Sequence, residues 1–152
     1  MKSNTDSLSN IVVRELCIAD YDKLITFWNE VKLPYKPKGR DRRENIEREL
    51  KGESAIFLVA EKDGVLVGSV FGTHDGRKGW INRLAVAPAY RRQGLAAQLV
   101  QEIENRLFEM GIGIIACLIE DWNKVSLQVF AKLGYTRHRD IFYFTKRKFP
   151  DA

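Results

Sequence analysis

The chain is poor in cysteine and has no long apolar run and no internal repeat, and each absence narrows what it can be. Cys17 and Cys117 are the only cysteines in 152 residues. They are too few, and too far apart, to frame a zinc site or a disulfide scaffold. Cys117 stands in an apolar, strand-like run and reads as a buried thiol rather than a nucleophile. No stretch approaches the roughly 20 apolar residues that a membrane-spanning helix needs, and the first ten residues are polar where a secretory leader would be apolar. The expectation is a cytoplasmic protein with no membrane partner. Without repeats or low-complexity linkers, the length suits one core: a polar tail at 1–9, then a single domain over 10–149.

What is present is an ordinary globular composition, 45% hydrophobic and 30% charged, with a formal net charge of +5. Positive charge suits an anionic ligand and equally suits nucleic acid. Trp80, Trp122 and Tyr35 add aromatic surface, but no nucleic-acid-binding motif accompanies the charge, so a nucleic-acid partner is not expected.

The order of elements follows from periodicity and punctuation. Ile11 to Leu16 reads as a strand. Asp20 is placed to cap a helix with Tyr21, Leu24, Ile25, Trp28 and Val31 on one face. A loop over 32–43 carries Pro34, Pro37, Gly39 and a dense set of cations. Asp41 and Glu44, three apart, mark a second helix start, with Ile46 and Leu50 inward and Gly52 at its end. Ala55–Lys62 and Val65–His74 are strands joined by Asp63-Gly64, a strong hairpin signal. A turn at 75–79 leads into a strand ending at Val86. After the long helix that follows, Gly111 precedes a strand over 112–119. Asn123 to Leu133 is a last helix with Val125, Val129, Phe130 and Leu133 inward, and Tyr135 to Lys148 forms one or two more strands. The strand–helix–strand unit across the long helix makes its two strands parallel.

The most informative stretch runs from Trp80 to Val100. Ile81, Leu84 and Val86 lead to Pro88, then Arg91-Arg92-Gln93-Gly94, then a helix with Ala96, Leu99, Val100, Ile103, Leu107 and Met110 on one side. A strand, a glycine turn and a helix start direct unpaired backbone N–H groups at an anion, and the helix dipole adds to their field. Gly94 and Ala96 keep side-chain bulk away, and Arg91 and Arg92 add full charges. A phosphate or pyrophosphate cradle is the physical reading. The dinucleotide fingerprint fails for want of two glycines, and the triphosphate loop fails because Leu95 and Ala96 follow Gly94. Arg91-Arg92-Gln93-Gly94-Leu95-Ala96 instead resembles the coenzyme A signature of the GNAT superfamily of N-acetyltransferases, Arg/Gln-x-x-Gly-x-Gly/Ala. Leu84 to Pro88 is similar to that family's fourth strand. Asn123-Lys124-Val125-Ser126 and Leu133-Gly134-Tyr135 match its second motif at the same spacing, so the resemblance covers 10–149.

The resemblance implies an α/β (α+β) fold: a mixed, mostly antiparallel sheet of six to seven strands with a central parallel pair, flanked by about four helices. It implies an acetyl-CoA-dependent N-acetyltransferase that uses no metal and acts on an amine of a small molecule or protein. The cofactor-binding residues it implies are Leu84, Ala85 and Val86 along the pantetheine arm and Arg91, Arg92, Gln93, Gly94, Leu95, Ala96 and Ala97 around the pyrophosphate. Asn123, Ser126 and Phe130 lie near the acetyl end, with Asn123 also orienting the reacting group. Phe130 departs from the family, which usually has a tyrosine there to protonate the leaving thiolate. Hence an alternative stands: a non-catalytic module that binds or senses acyl-CoA. For the general base, Glu120 is preferred over Asp121, Asp75 and His74 because it follows the strand near the expected acetyl position. The loop cations Lys32, Lys36, Lys38, Arg40, Arg42 and Arg43, with Arg83, favour an amine that also carries an anionic group. They equally fit a solvated loop. A homodimer is compatible with all of this.

Overall fold

In the computed structural model, which describes residues 10–152, Asp63 and Gly64 take positive φ angles of 51° and 81°. Two left-handed residues in succession are what a tight type I′ hairpin requires. They fold β2 (Ala55–Lys62) back on β3 (Val65–His74). β1 (Ile11–Glu15) joins the outer edge of β2, and β4 (Gly79–Val86) joins β3, all antiparallel. β5 (Ile115–Cys117) pairs with β4 in parallel, so the five strands lie in sequence order. The proposed tail at 1–9 lies outside the described residues.

Alternation along β2 sends side chains into two cores, one on each face of the sheet. Phe57 and Val59 pack with Leu24, Phe27 and Trp28 of α1 (Tyr21–Glu30) and Ile46 of α2 (Arg43–Lys51). Ile56, Leu58 and Ala60 pack under α3 (Leu95–Glu109) and Phe130 of α4 (Lys124–Lys132). Three strand glycines let α3 settle close to the sheet. A Cβ on Gly68 would lie 3.1 Å from Leu99, one on Gly72 2.6 Å from Ile103, and one on Gly79 2.8 Å from Leu107. These leucine and isoleucine side chains are four apart on one helix face, so the glycines form a groove matched to it.

Several expectations need correction. Among the described residues the sheet has five strands rather than six or seven. The last strand covers Ile115–Cys117 rather than 112–119, and Tyr135 to Lys148 forms none. A strand needs a partner ladder, and among the described residues no strand pairs with the outer side of β5. The parallel pair therefore lies at the edge of the sheet, not at its centre. Asp20 stands at the N-cap position of α1 but its side chain makes no cap hydrogen bond, and Asp41 does not cap α2. The Asp20 carboxylate instead accepts hydrogen bonds from the Arg14 guanidinium at 2.8 and 2.9 Å and from the Cys17 amide at 2.9 Å. The Arg14 contact holds its carboxyl below the usual range. Asp41 is buried one residue before the Arg42 cap of α2 and is used elsewhere. Val125 and Met110, expected inward, are more than half exposed. Leu95 is buried instead, because α3 begins there.

Candidate active site

β4 pairs with β5 only as far as Ile81 and Cys117. Past that point β4 continues to Val86 while the other chain segment leaves the sheet, and the two diverge. The edge of β4 from Asn82 to Val86 is thereby left without a strand on the β5 side. A β-bulge adds to the opening. Ser69 faces Ala85 and Phe71 faces Asn82, so Val70 stands opposite both Arg83 and Leu84. Arg83 takes φ 55° there, a left-handed angle unusual for a residue with a side chain.

The gap is a cavity of about 340 Å³. It is lined by Leu33 to Lys36 and Arg40 from the loop after α1, Ile81 to Leu84 from β4, Cys117 to Glu120 from the end of β5 onward, and Trp122, Asn123, Ser126 and Phe130. Arg147 also lines it. The sequence-derived candidates Leu84, Glu120, Asn123, Ser126 and Phe130 thus meet around one space. The side-chain oxygen of Asn123 accepts the Ser126 amide at 3.2 Å, a helix cap, and its Nδ2 has no hydrogen-bond partner among the described residues. Glu120 is exposed at the cavity, and its backbone carbonyl accepts the Asn123 N–H. Cys117 is half-buried, and burial pushes its thiol up to about 11, so it is a neutral thiol at ordinary pH. Phe130 is buried, with Tyr135 edge-on at 5.0 Å. Asp75 and His74 lie at the far end of β3, outside the cavity.

Arg91, Arg92, Gln93, Gly94, Leu95, Ala96 and Ala97 form a separate feature, beyond a short 3-10 turn at Pro88–Tyr90. Gly94 caps α3 with φ 86° and ψ 1°, and Arg92 has φ 61°. Left-handed residues interleaved with others in a turn at a helix start aim successive amides at one concavity. The Arg91 guanidinium donates to the Val86 carbonyl at 3.0 Å, which ties the turn to the end of β4, and the Gln93 side-chain amide donates to the Ala89 carbonyl at 3.1 Å. A Cβ on Gly94 would meet nothing within 4 Å, so the space before the amides is open. The arrangement suits a pyrophosphate. Leu95 differs from its neighbours, since its side chain is buried in the core under α3.

Sequence reasoning missed Asp41, Arg147 and the apolar lining from Leu118, Ile119 and Trp122. Asp41 carried a signal for a helix cap and none for the cavity. Arg147 lies in a basic run whose place is set by tertiary structure alone.

Residues 21–135 match the sequence model of the acetyltransferase (GNAT) family. An acetyltransferase of Photorhabdus laumondii is 34% identical over 133 residues, covering 87% of this chain and 92% of that protein. Among solved structures, AAC(6′)-Iy in complex with the bisubstrate analogue CoA-S-monomethyl-acetylneamine superposes with a TM-score of 0.75 at 19% identity, covering 91% of this chain and 99% of that one. An acetyltransferase from Clostridium acetobutylicum, solved with acetyl-CoA, gives 0.74 at 16% identity over 89% and 96%.

Proposed function

This chain belongs to the acetyltransferase (GNAT) family and is an acetyl-CoA-dependent N-acetyltransferase, and from that premise we propose that its acceptor is an amine that also carries a carboxylate or phosphate. The observation that carries the proposal is the charge around the cavity. Lys36, Arg40 and Arg147 line it, with Glu120 as the one acidic side chain among the described residues; Arg83 is neutralised by Asp41 at 2.5 Å, and Arg40 and Arg147 each donate one hydrogen bond to the Ala152 carbonyl oxygen, at 3.2 and 2.5 Å. Like charges repel a polycation from such a lining, and an anionic group is attracted to it. AAC(6′)-Iy has an acetylneamine conjugate in its structure, but a polyamino sugar is a poor match for these walls.

In the proposed arrangement the pyrophosphate of acetyl-CoA rests on the amides of residues 92–97. The pantetheine arm runs along the free edge of β4 at Leu84, Ala85 and Val86, as a strand adds to a sheet edge. The acetyl group then lies in the cavity beside Asn123, whose free Nδ2 is available to orient it. Glu120, directly or through water, takes the proton of the incoming amine. The amine attacks the thioester carbonyl and the carbon–sulfur bond breaks. The departing thiolate takes its proton from water, because Phe130 has none to give. The thioester is already activated, so positioning and oxyanion stabilisation supply most of the acceleration. A cytoplasmic setting suits the two free cysteines.

The test is thiol release from acetyl-CoA with a panel of amines: amino acids and phosphorylated amines against linear polyamines and aminoglycosides. Anionic amines are expected to give kcat/KM at least about tenfold higher, a difference of about 1.4 kcal/mol, and the gap should narrow as salt is added. A preference for polycations would overturn the reading. We also infer a homodimer, supported by the run Ile141, Phe142, Tyr143 and Phe144, which is 68–89% exposed.

A further inference from the structure

We propose that Asp41 and Arg83 are positioning residues for the acceptor, a latch that holds the loop between α1 and α2 against the bulge of β4. The loop over 31–42 has no helix or strand of its own, yet it lines the cavity. Its shape depends on Asp41, which is 5% exposed. The carboxylate accepts the Lys36 amide at 2.7 Å, and the Asp41 amide donates back to the Lys36 carbonyl at 3.0 Å. The Asp41 carbonyl accepts the Tyr21 hydroxyl at 2.8 Å, which fastens the loop to α1. The same carboxylate takes the Arg83 guanidinium through Nη2 at 2.5 Å and Nε at 3.4 Å.

Arg83 is itself held firmly. Its carbonyl accepts the Ser69 hydroxyl at 2.8 Å, Ser69 accepts the Trp28 indole N–H at 3.0 Å, and the guanidinium stands 5.9 Å from the Trp28 ring centroid. The left-handed bulge persists because these contacts over-determine it. One chain of contacts therefore runs from the α1 core through the bulge to the backbone of Lys36, whose side chain lines the cavity. Its role follows from geometry: an attacking amine must be held within a few tenths of an ångström of its reactive position, and a loop without regular structure cannot do that unless it is tied down. Arg83 spends its charge on Asp41, so it acts through the loop and not as the anion's partner. The inference rests on the acceptor occupying this cavity, but not on the acceptor being an anion.

The test uses the best amine from the panel, whatever its charge, with Asp41→Asn, Arg83→Gln and the double variant. Each is expected to raise the KM for the amine at least tenfold while the KM for acetyl-CoA stays within about twofold. The double variant should be no worse than the poorer single, since both break one latch. Arg83→Lys, which keeps a charge but not the side-on pair, should fall between Arg83→Gln and the parent. Should the polar variants fold poorly, Asp41→Leu/Arg83→Met replaces the pair by apolar groups of similar size and should show the same split. Amide hydrogen exchange, measured without any amine, should speed up over 33–41 and stay unchanged in α3. An unchanged KM for the amine, an equal rise in both KM values, or unaltered exchange in the loop would each overturn the latch. Failure of the anionic-amine reading appears separately, as the wrong order of amines in the panel with the KM split intact.

Discussion

In the proposed mechanism a single side chain decides how the leaving thiolate is treated. Phe130 stands where a hydroxyl would reach the cofactor sulfur in the family pattern, and the hydroxyl of Tyr135, packed edge-on against it, is engaged elsewhere. The Tyr135 hydroxyl donates to Glu104 at 2.8 Å, and burial together with that carboxylate raises its pKa. Phe130→Tyr is expected to keep acetyl-CoA affinity and to give a rate equal to or above the parent's. General acid assistance is at most about 10²–10⁴-fold when a pKa is well matched, and a thiolate needs less. The measurement is thiol release against pH for both proteins with one amine. A large loss of rate with binding intact would mean that the position serves the acceptor as an apolar surface. Phe130 and Asn123 were legible as residues because two motifs place them in a known order. Asp41 and Arg83 were not, because an aspartate before a helix and an arginine in a strand each have commoner uses.

At the scale of elements, the cradle depends on how α3 begins. The helix is docked by Leu99, Ile103 and Leu107 over strand glycines, which fixes its first turn beside the end of β4. Gly94 does two things there: it adopts φ 86°, and it leaves the approach to the amides open. Gly94→Val is strained by the left-handed angle and adds bulk in that approach. The Kd for acetyl-CoA, measured by calorimetry, is expected to rise at least tenfold. That corresponds to about 1.4 kcal/mol. The unliganded fold should survive, since a Cβ at Gly94 meets no other atom within 4 Å. Binding at the parent's affinity would place the pyrophosphate elsewhere. The hairpin, the four helices and the turn before α3 were legible because turn residues and a helical period are local signals. The short length of β5 was not, because pairing depends on a partner strand and not on the apolar run itself.

For the whole molecule, two features stand uncovered among the described residues: the outer edge of β5 and the apolar run Ile141 to Phe144 beyond α4. Burying a Phe or Ile side chain is worth about 1.5–3 kcal/mol, so four adjacent ones are a strong drive towards association with a second copy. Light scattering is expected to report a dimer for the parent. Phe142→Glu/Phe144→Glu should shift it to monomer, while acetyl-CoA binding is kept. A parent that stays monomeric at tens of micromolar would refute the dimer. No helix among the described residues is long and apolar enough to cross a membrane.

The sequence by itself determined the family, the hairpin at Asp63-Gly64, the four helices and the glycine turn that starts α3, because each rests on residues close together in the chain. Hydrophobic period, turn chemistry and motif spacing act over a few residues and need no distant partner. Only the tertiary structure decided that β4 and β5 part after Ile81 and Cys117, that a bulge puts Arg83 in a left-handed conformation, and that Asp41 meets Arg83 and does not cap α2. Those outcomes depend on groups 42 residues apart in the case of Arg83 and Asp41. Their pairing is set by which buried charge finds a partner when the loop closes over the sheet, and local patterns carry no record of that choice.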